Sequence, residues 1–159
     1  MKKALLFLAL AALVLSPVLA QTKLDVKTKF TSKFEMKGVK HGVIYYLEQM
    51  SYKIVEVKEE YSVWLTDFEE KLLEGNKYSI KFLVKIEPPA LLTEKEVLAS
   101  KEVKGEFAFD AKVLTTDAGF MTFIKSKVKD MKEKENIQAM QVGKLAAEEI
   151  KALLGTLKK

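Results

Sequence analysis

The sequence predicts an α+β domain: an antiparallel sheet of four to five strands, covered on one face by a short helix and a C-terminal helical segment, in the order β-α-β-β-β-β-α-α. Two observations carry this. Several stretches alternate apolar and polar residues with a period of two, most cleanly residues 77–87, KYSIKFLVKIE. Two others repeat apolar residues at i, i+4, i+8 and i+11, after Gly38 and after Thr116.

In residues 77–87, Tyr78, Ile80, Phe82, Val84 and Ile86 share one face, and Lys77, Ser79, Lys81, Lys85 and Glu87 mark the other, interrupted by Leu83. Such a strand is half-buried, and leaving its apolar row in water would forgo roughly 1.5–3 kcal/mol per side chain. A covering layer is therefore required. Residues 23–37 alternate in the same way, with Leu24, Val26, Phe30, Phe34 and Met36 on one side and a bend or bulge expected near Ser32. Past Gly38, the spacing of Val39, Val43, Leu47 and Met50 is a helical stripe of about three turns. Residues 52–57 and 61–66 read as strands again. Residues 67–74 are charged, and Phe68, Leu72 and Leu73 are spaced as a short helical turn would space them; Gly75 and Asn76 then supply turn chemistry. Pro88 and Pro89 end the central strand, because proline cannot donate to a ladder. Residues 96–110 form its expected antiparallel partner, with Val97, Ala99, Val103, Phe107 and Phe109 on one face and Gly105 marking a bulge or a close-packed neighbour.

The C-terminal part is helical. Thr115 or Thr116 is the expected N-cap, with Asp117 in the first turn, and Phe120, Ile124, Val128 and Met131 form the stripe. A second stripe runs from Ala139 to Leu154. One helix over residues 116–154 would extend roughly 60 Å, longer than a domain of this size is wide, so a kink or turn is expected near Asn136.

Residues 1–20 read as a cleaved secretory signal: Lys2 and Lys3, an apolar run from Ala4 to Leu15, then Ser16, Pro17, Val18, Leu19 and Ala20. The run is shorter than the ~20 residues that cross a bilayer. Residues 21–159 are expected to form one domain, with the sheet and first helix in 23–110 and the C-terminal helical segment in 116–154. No cysteine follows the cut to carry a lipid. The expected destination is periplasmic or extracellular.

Composition sets several chemistries aside. The chain has no cysteine, which removes disulfides, thiol catalysis and thiolate metal sites. All 27 basic residues are lysine; after removal of Lys2 and Lys3, 25 lysines face 22 acidic side chains, a net charge of +3. Lysine without arginine is poorly suited to bidentate reading of phosphate or guanine, so no nucleic-acid partner is expected. His41 is the sole histidine, which excludes a multi-histidine zinc site, and the seven glycines are scattered rather than grouped as a phosphate loop. Asp67, Glu69, Glu70 and Glu74 do not follow the ligand spacing of a calcium loop, and Lys71 lies among them. No cofactor and no catalytic constellation is expected.

What remains is surface and core. Trp64 and Leu83 fall on faces assigned to solvent, and with Phe107, Phe109, Phe120, Phe123 and Met121 they form the expected partner or ligand surface. The expectation is an exported, non-catalytic protein of a bacterial envelope that binds another protein. The alternative is a periplasmic carrier of an apolar small molecule, held in a cavity between sheet and helices.

Overall fold

The computed structural model describes residues 24–28, 38–49, 61–88 and 97–157 of the 159. The elements are β1 (Leu24–Thr28), α1 (Val39–Gln49), β2 (Tyr61–Leu73), β3 (Lys77–Glu87), β4 (Ala99–Ala108), a 3₁₀ helix (Ala111–Thr115), α2 (Ala118–Lys127) and α3 (Glu133–Thr156). The class is α+β. The expected signal segment, the strand over residues 52–57 and the rest of the first strand beyond Thr28 lie outside the described residues.

The sheet runs β1-β2-β3-β4. β2, β3 and β4 are antiparallel neighbours, and β3 pairs along its whole length with β4, from Lys77 opposite Ala108 to Ile86 opposite Ala99. The wholly antiparallel expectation is corrected at β1, which pairs parallel to β2, Leu24 opposite Tyr61 through Thr28 opposite Leu65. A parallel neighbour needs a crossover connection, and α1 lies in it.

A second correction concerns residues 67–74. They do not form a helical turn; β2 continues through them to Leu73. The register shifts between Thr66 and Glu69, where Asp67 adopts φ 59°. Two residues, Asp67 and Phe68, thus stand against Phe82 alone, which is a β-bulge. The extra residue moves the inward phase by one, from Val63 and Leu65 to Phe68 and Glu70, and this break in alternation imitates helical spacing in the sequence. Phe68 is turned inward and stacks on Phe82 with ring centroids 5.1 Å apart. The hairpin then closes through Gly75 and Asn76, both at positive φ (75° and 57°), as the turn chemistry requires.

α1 and α3 cover the apolar face of the sheet. Val39, Val43 and Leu47 from α1, Val63, Leu65 and Phe68 from β2, the inward row of β3, Val103, and Val142, Ala146, Ala147, Ile150 and Leu154 from α3 form one buried cluster. The helices themselves nearly touch. A Cβ on Gly143 would stand 2.7 Å from the carbonyl carbon of Gly42 and 3.0 Å from the amide nitrogen of Val43, so only glycine allows this approach. At Gly105 an added Cβ would meet the Phe107 ring at 2.9 Å and Leu145 Cδ2 of α3 at 3.0 Å, and the ladder passes without a bulge.

α2 lies against the other side of the helix pair. Tyr45, Phe120, Ile124, Ala139 and Met140 make a second buried cluster, with Tyr46, Val113, Met121, Phe123 and Met131 at its margin. The N-cap is Asp117 rather than Thr115 or Thr116: its Oδ1 accepts from the Phe120 amide at 2.9 Å and from the Tyr45 hydroxyl at 2.8 Å. The two threonines close the preceding 3₁₀ turns instead, Thr115 donating to Lys112 O and Thr116 to Val113 O. The break between the C-terminal helices falls at Val128 to Lys132, with Asp130 at φ 60°, and not at Asn136, which lies inside α3. Breaking there brings Ala139 and Gly143 back onto α1.

Replacing Gly143 by alanine is expected to cost about 1–3 kcal/mol in urea unfolding, because the methyl group must push two helix backbones apart. Gly155→Ala, where no atom lies within 4 Å of the added Cβ, is the control and is expected to leave stability unchanged or slightly raised. Asp117→Ala is expected to lose about 1 kcal/mol of capping, and Asp117→Asn, which keeps an acceptor, to recover most of it in the same assay.

Candidate functional site: a groove beside the last helix

Among the described residues, the side chains between sheet and helices are buried against one another. Tyr78, Phe82, Val84 and Ile86 of β3, Leu65 of β2 and Val39 and Val43 of α1 have no solvent exposure, and Phe68 and Ile80 are almost as enclosed. Openings instead lie at the surface. One, among the described residues, is a groove of about 580 Å³, lined by Phe107 of β4, Val113 and Thr116 of the 3₁₀ segment, and Met140, Gln141, Lys144, Leu145 and Glu148 of α3.

The groove follows from helix geometry. Gln141, Lys144, Leu145 and Glu148 are spaced i, i+3, i+4 and i+7, so they share one strip of α3, adjacent to the strip that meets the sheet through Val142, Ala146 and Ile150. Phe107, the last residue but one of β4, is tilted against Tyr78 with centroids 5.7 Å apart and supplies the far wall. The result is an apolar floor of Phe107, Val113, Met140 and Leu145 with Lys144 and Glu148 at its margin. Such a surface can seat an apolar side chain between two opposite charges. Among the described residues, no group of three or more His, Asp or Glu side chains is placed to hold a metal ion.

Polar struts fix the wall of the groove. Tyr78 donates its hydroxyl to Gln141 Oε1 at 2.7 Å, and Gln141 Nε2 donates to the Ala108 carbonyl at 2.9 Å, tying α3 to β3 and β4. One turn earlier, the buried Gln138 donates from Nε2 to Glu70 Oε2. Burial pushes the Glu70 carboxyl above its ordinary pKa, and the Gln138 hydrogen bond offsets part of that rise. Burial, followed by the Glu70 charge, pushes the Tyr78 hydroxyl up as well. A smaller opening of about 290 Å³ lies at the bulge, among Glu69, Glu70, Lys71, Ser79, Ile80, Lys81 and Lys104, with Lys81 and Glu69 in an ion pair at 2.9 Å.

The residues singled out from the sequence go to three places. Phe107 lines the groove, and Phe109 sits beside it, 4.7 Å from the Tyr78 ring centroid with Lys134 Nζ over its own ring at 4.7 Å. Phe120, Met121 and Phe123 belong to the second cluster. Phe120 is fully buried there and offers no surface; Phe123 is half-buried, against Tyr45 at 5.5 Å. Trp64 and Leu83 are half-buried on the outer face of the sheet, where Leu83 lies opposite Thr66 and Glu102, and Trp64 Nε1 donates to Glu87 Oε1 at 2.8 Å. They are diagonal neighbours rather than a facing pair. His41 is half-buried on α1, and its pKa is lowered by burial and by Lys40 and Lys127, which favours the neutral imidazole. The groove residues Val113, Gln141, Lys144 and Glu148 were not foreseen, because nothing in a helical stripe tells which flank a strand end will wall in.

Among the described residues no helix is long and apolar enough to cross a membrane. No protein-family model matches the chain, and no curated protein matches it. Among solved structures it is similar to a minor lipoprotein from Acinetobacter baumannii, at 12% identity over 82% of this chain and 92% of that one, with a TM-score of 0.36. It is also similar to the rare lipoprotein B from Shewanella oneidensis, at 11% identity over 86% of this chain and 99% of that one, with a TM-score of 0.35.

The raised pKa of Glu70 has a defined consequence for stability. Its contribution is fully present below the ordinary value of 4.5 and is lost as pH rises through the higher folded pKa, because the folded chain then holds a desolvated charge. Glu70→Gln keeps the acceptor for Gln138 and removes the charge. In urea melts across the mildly acidic to neutral range, this variant is expected to decline less with pH than the wild type and to equal or exceed it at neutral pH.

Proposed function

We propose that this chain is an exported, non-catalytic protein of a bacterial envelope that works by binding another protein, and that the groove beside α3 is where the partner is held. The observation that carries the reading is the groove's make-up: Phe107, Val113, Met140 and Leu145 form an apolar floor with Lys144 and Glu148 at its edge. Anchoring apolar contacts inside a polar rim are the anatomy of a protein interface. The signal-like first twenty residues support export. The close burial of the described side chains between sheet and helices weighs against the carrier alternative, which needs space there. Trp64 and Leu83, half-buried on the opposite face, are read as local packing around the Glu87 hydrogen bond and the β2–β3 pairing.

Photoreactive side chains placed at Lys144 and Glu148, in cells that export the protein, test this. Both positions are exposed. The expected result is a discrete crosslinked protein partner from these two sites and none from Ser126, an exposed position on α2. Equal crosslinking at Ser126, or none at the groove, would sink the assignment.

A further inference from the structure

We propose that β4 is a self-pairing edge: two copies of the chain associate about a two-fold axis at Val103, β4 against β4 antiparallel, so that the two sheets become continuous. This goes beyond the groove and does not depend on it. Among the described residues β4 pairs with β3 alone and ends the sheet. Its side chains are open to water for a strand of ten residues: Ser100, Lys101, Glu102, Lys104, Glu106 and Ala108 are exposed, and Val103 alone is buried.

The backbone sets which residues face outward. The Phe109 amide donates to the Asn76 carbonyl at 2.9 Å, in register with the β3–β4 ladder, so odd-numbered residues of β4 exchange hydrogen bonds with β3. The N–H and C=O groups of Ser100, Glu102, Lys104, Glu106 and Ala108 therefore point to the side of β4 that has no neighbour among the described residues. An unpaired row of this length is a template for another strand, and natural edges are usually blunted against it.

The second copy is chosen by charge. Centred on Val103, antiparallel self-pairing sets Glu102 opposite Lys104 of the other copy, twice over by symmetry, in the hydrogen-bonding positions. Those two side chains already lie 3.5 Å apart within one strand, with Glu102 54% and Lys104 70% exposed. On the inner face Val103 meets Val103, and Lys101 meets Gly105, which leaves room for the Lys101–Glu149 ion pair at 2.7 Å. That ion pair also draws Lys101, the inward charge that would otherwise guard the edge, toward α3. Centring on Glu102 or on Lys104 would oppose like charges. Centring on Gly105 keeps two Lys104–Glu106 pairs but shortens the overlap to residues 102–108, so the register at Val103 uses the strand best. A two-fold interface is isologous, as this palindromic charge order requires.

Sedimentation velocity of the purified protein, from micromolar to submillimolar concentration, tests the pairing. One strand per copy lies at the small end of specific interfaces, so a reversible, concentration-dependent dimer is expected. Lys104→Glu and Glu102→Lys are each expected to weaken it about tenfold, since two attractive cross-strand pairs become repulsive. The double variant Glu102→Lys with Lys104→Glu restores complementarity at this register and is expected to dimerise like the wild type. Both side chains are exposed, and thermal unfolding of each variant verifies the fold. A monomer at every concentration, indifference to the single changes, or failure of the double change to restore the dimer would each overturn the proposal.

Discussion

The approach of α1 to α3 at Gly42, Ala139 and Gly143 is the constraint on which the rest of the molecule depends. With no side chain between the two backbones at Gly143 and Gly42, the helices sit as one layer, close enough for a single set of apolar side chains to reach the sheet from both. The contact is dense rather than strong at any point, since close packing collects many small dispersion terms. A methyl group in that gap would lift one helix and loosen both clusters, because the same pair carries Val43 and Val142 on its sheet side and Tyr45 and Met140 beneath α2.

Around that layer the polar groups act as fasteners at the edges. Asp117 caps α2 and accepts from Tyr45, so one carboxylate both starts a helix and anchors it to α1. The pull of that hydrogen bond adds to burial in raising the Tyr45 hydroxyl to about 12. Gln138 and Gln141 do the corresponding work for α3 on the sheet. Both glutamines bind through amides, which lose less on burial than charges do, whereas Glu70 keeps its carboxylate at an energetic disadvantage. The groove lies beside this fastening: from Gln141, tied to the Ala108 carbonyl, α3 runs back along β4, with Leu145 against Gly105, and Lys144 and Glu148 are exposed on its flank.

The elements that were legible in the sequence are those whose periodicity is uninterrupted. The strand Lys77–Glu87 has the bounds its alternation sets, because every second side chain is buried against the helices. The first helix and the turn at Gly75 and Asn76 also follow their local signals. Residues 67–74 do not, because an inserted residue shifts a period of two into something that resembles a period near four. The bulge becomes visible only with β3 alongside, where Phe82 faces two residues. The helix break is similar: Phe120, Ile124, Val128 and Met131 keep helical spacing through a segment that is not helical after Lys127. There the gain from folding α3 back onto α1 outweighs the local preference.

For the candidate site, the sequence supplied Phe107 and the neighbouring Phe109, since large aromatic residues at a strand end are conspicuous. It could not separate them from Phe120, which is the same residue type and is completely enclosed. By itself the sequence determined the fold class, the inward face of the central strand, and the exclusion of thiol and multi-histidine chemistry. These depend on residue type and on order along the chain. Only the tertiary structure decided that β1 is parallel, which flank of α3 is walled by Phe107, and that Glu102 and Lys104 lie on the outermost strand among the described residues. Those depend on which elements become neighbours, and neighbours are chosen by the fit of whole faces, which no single stretch of sequence contains.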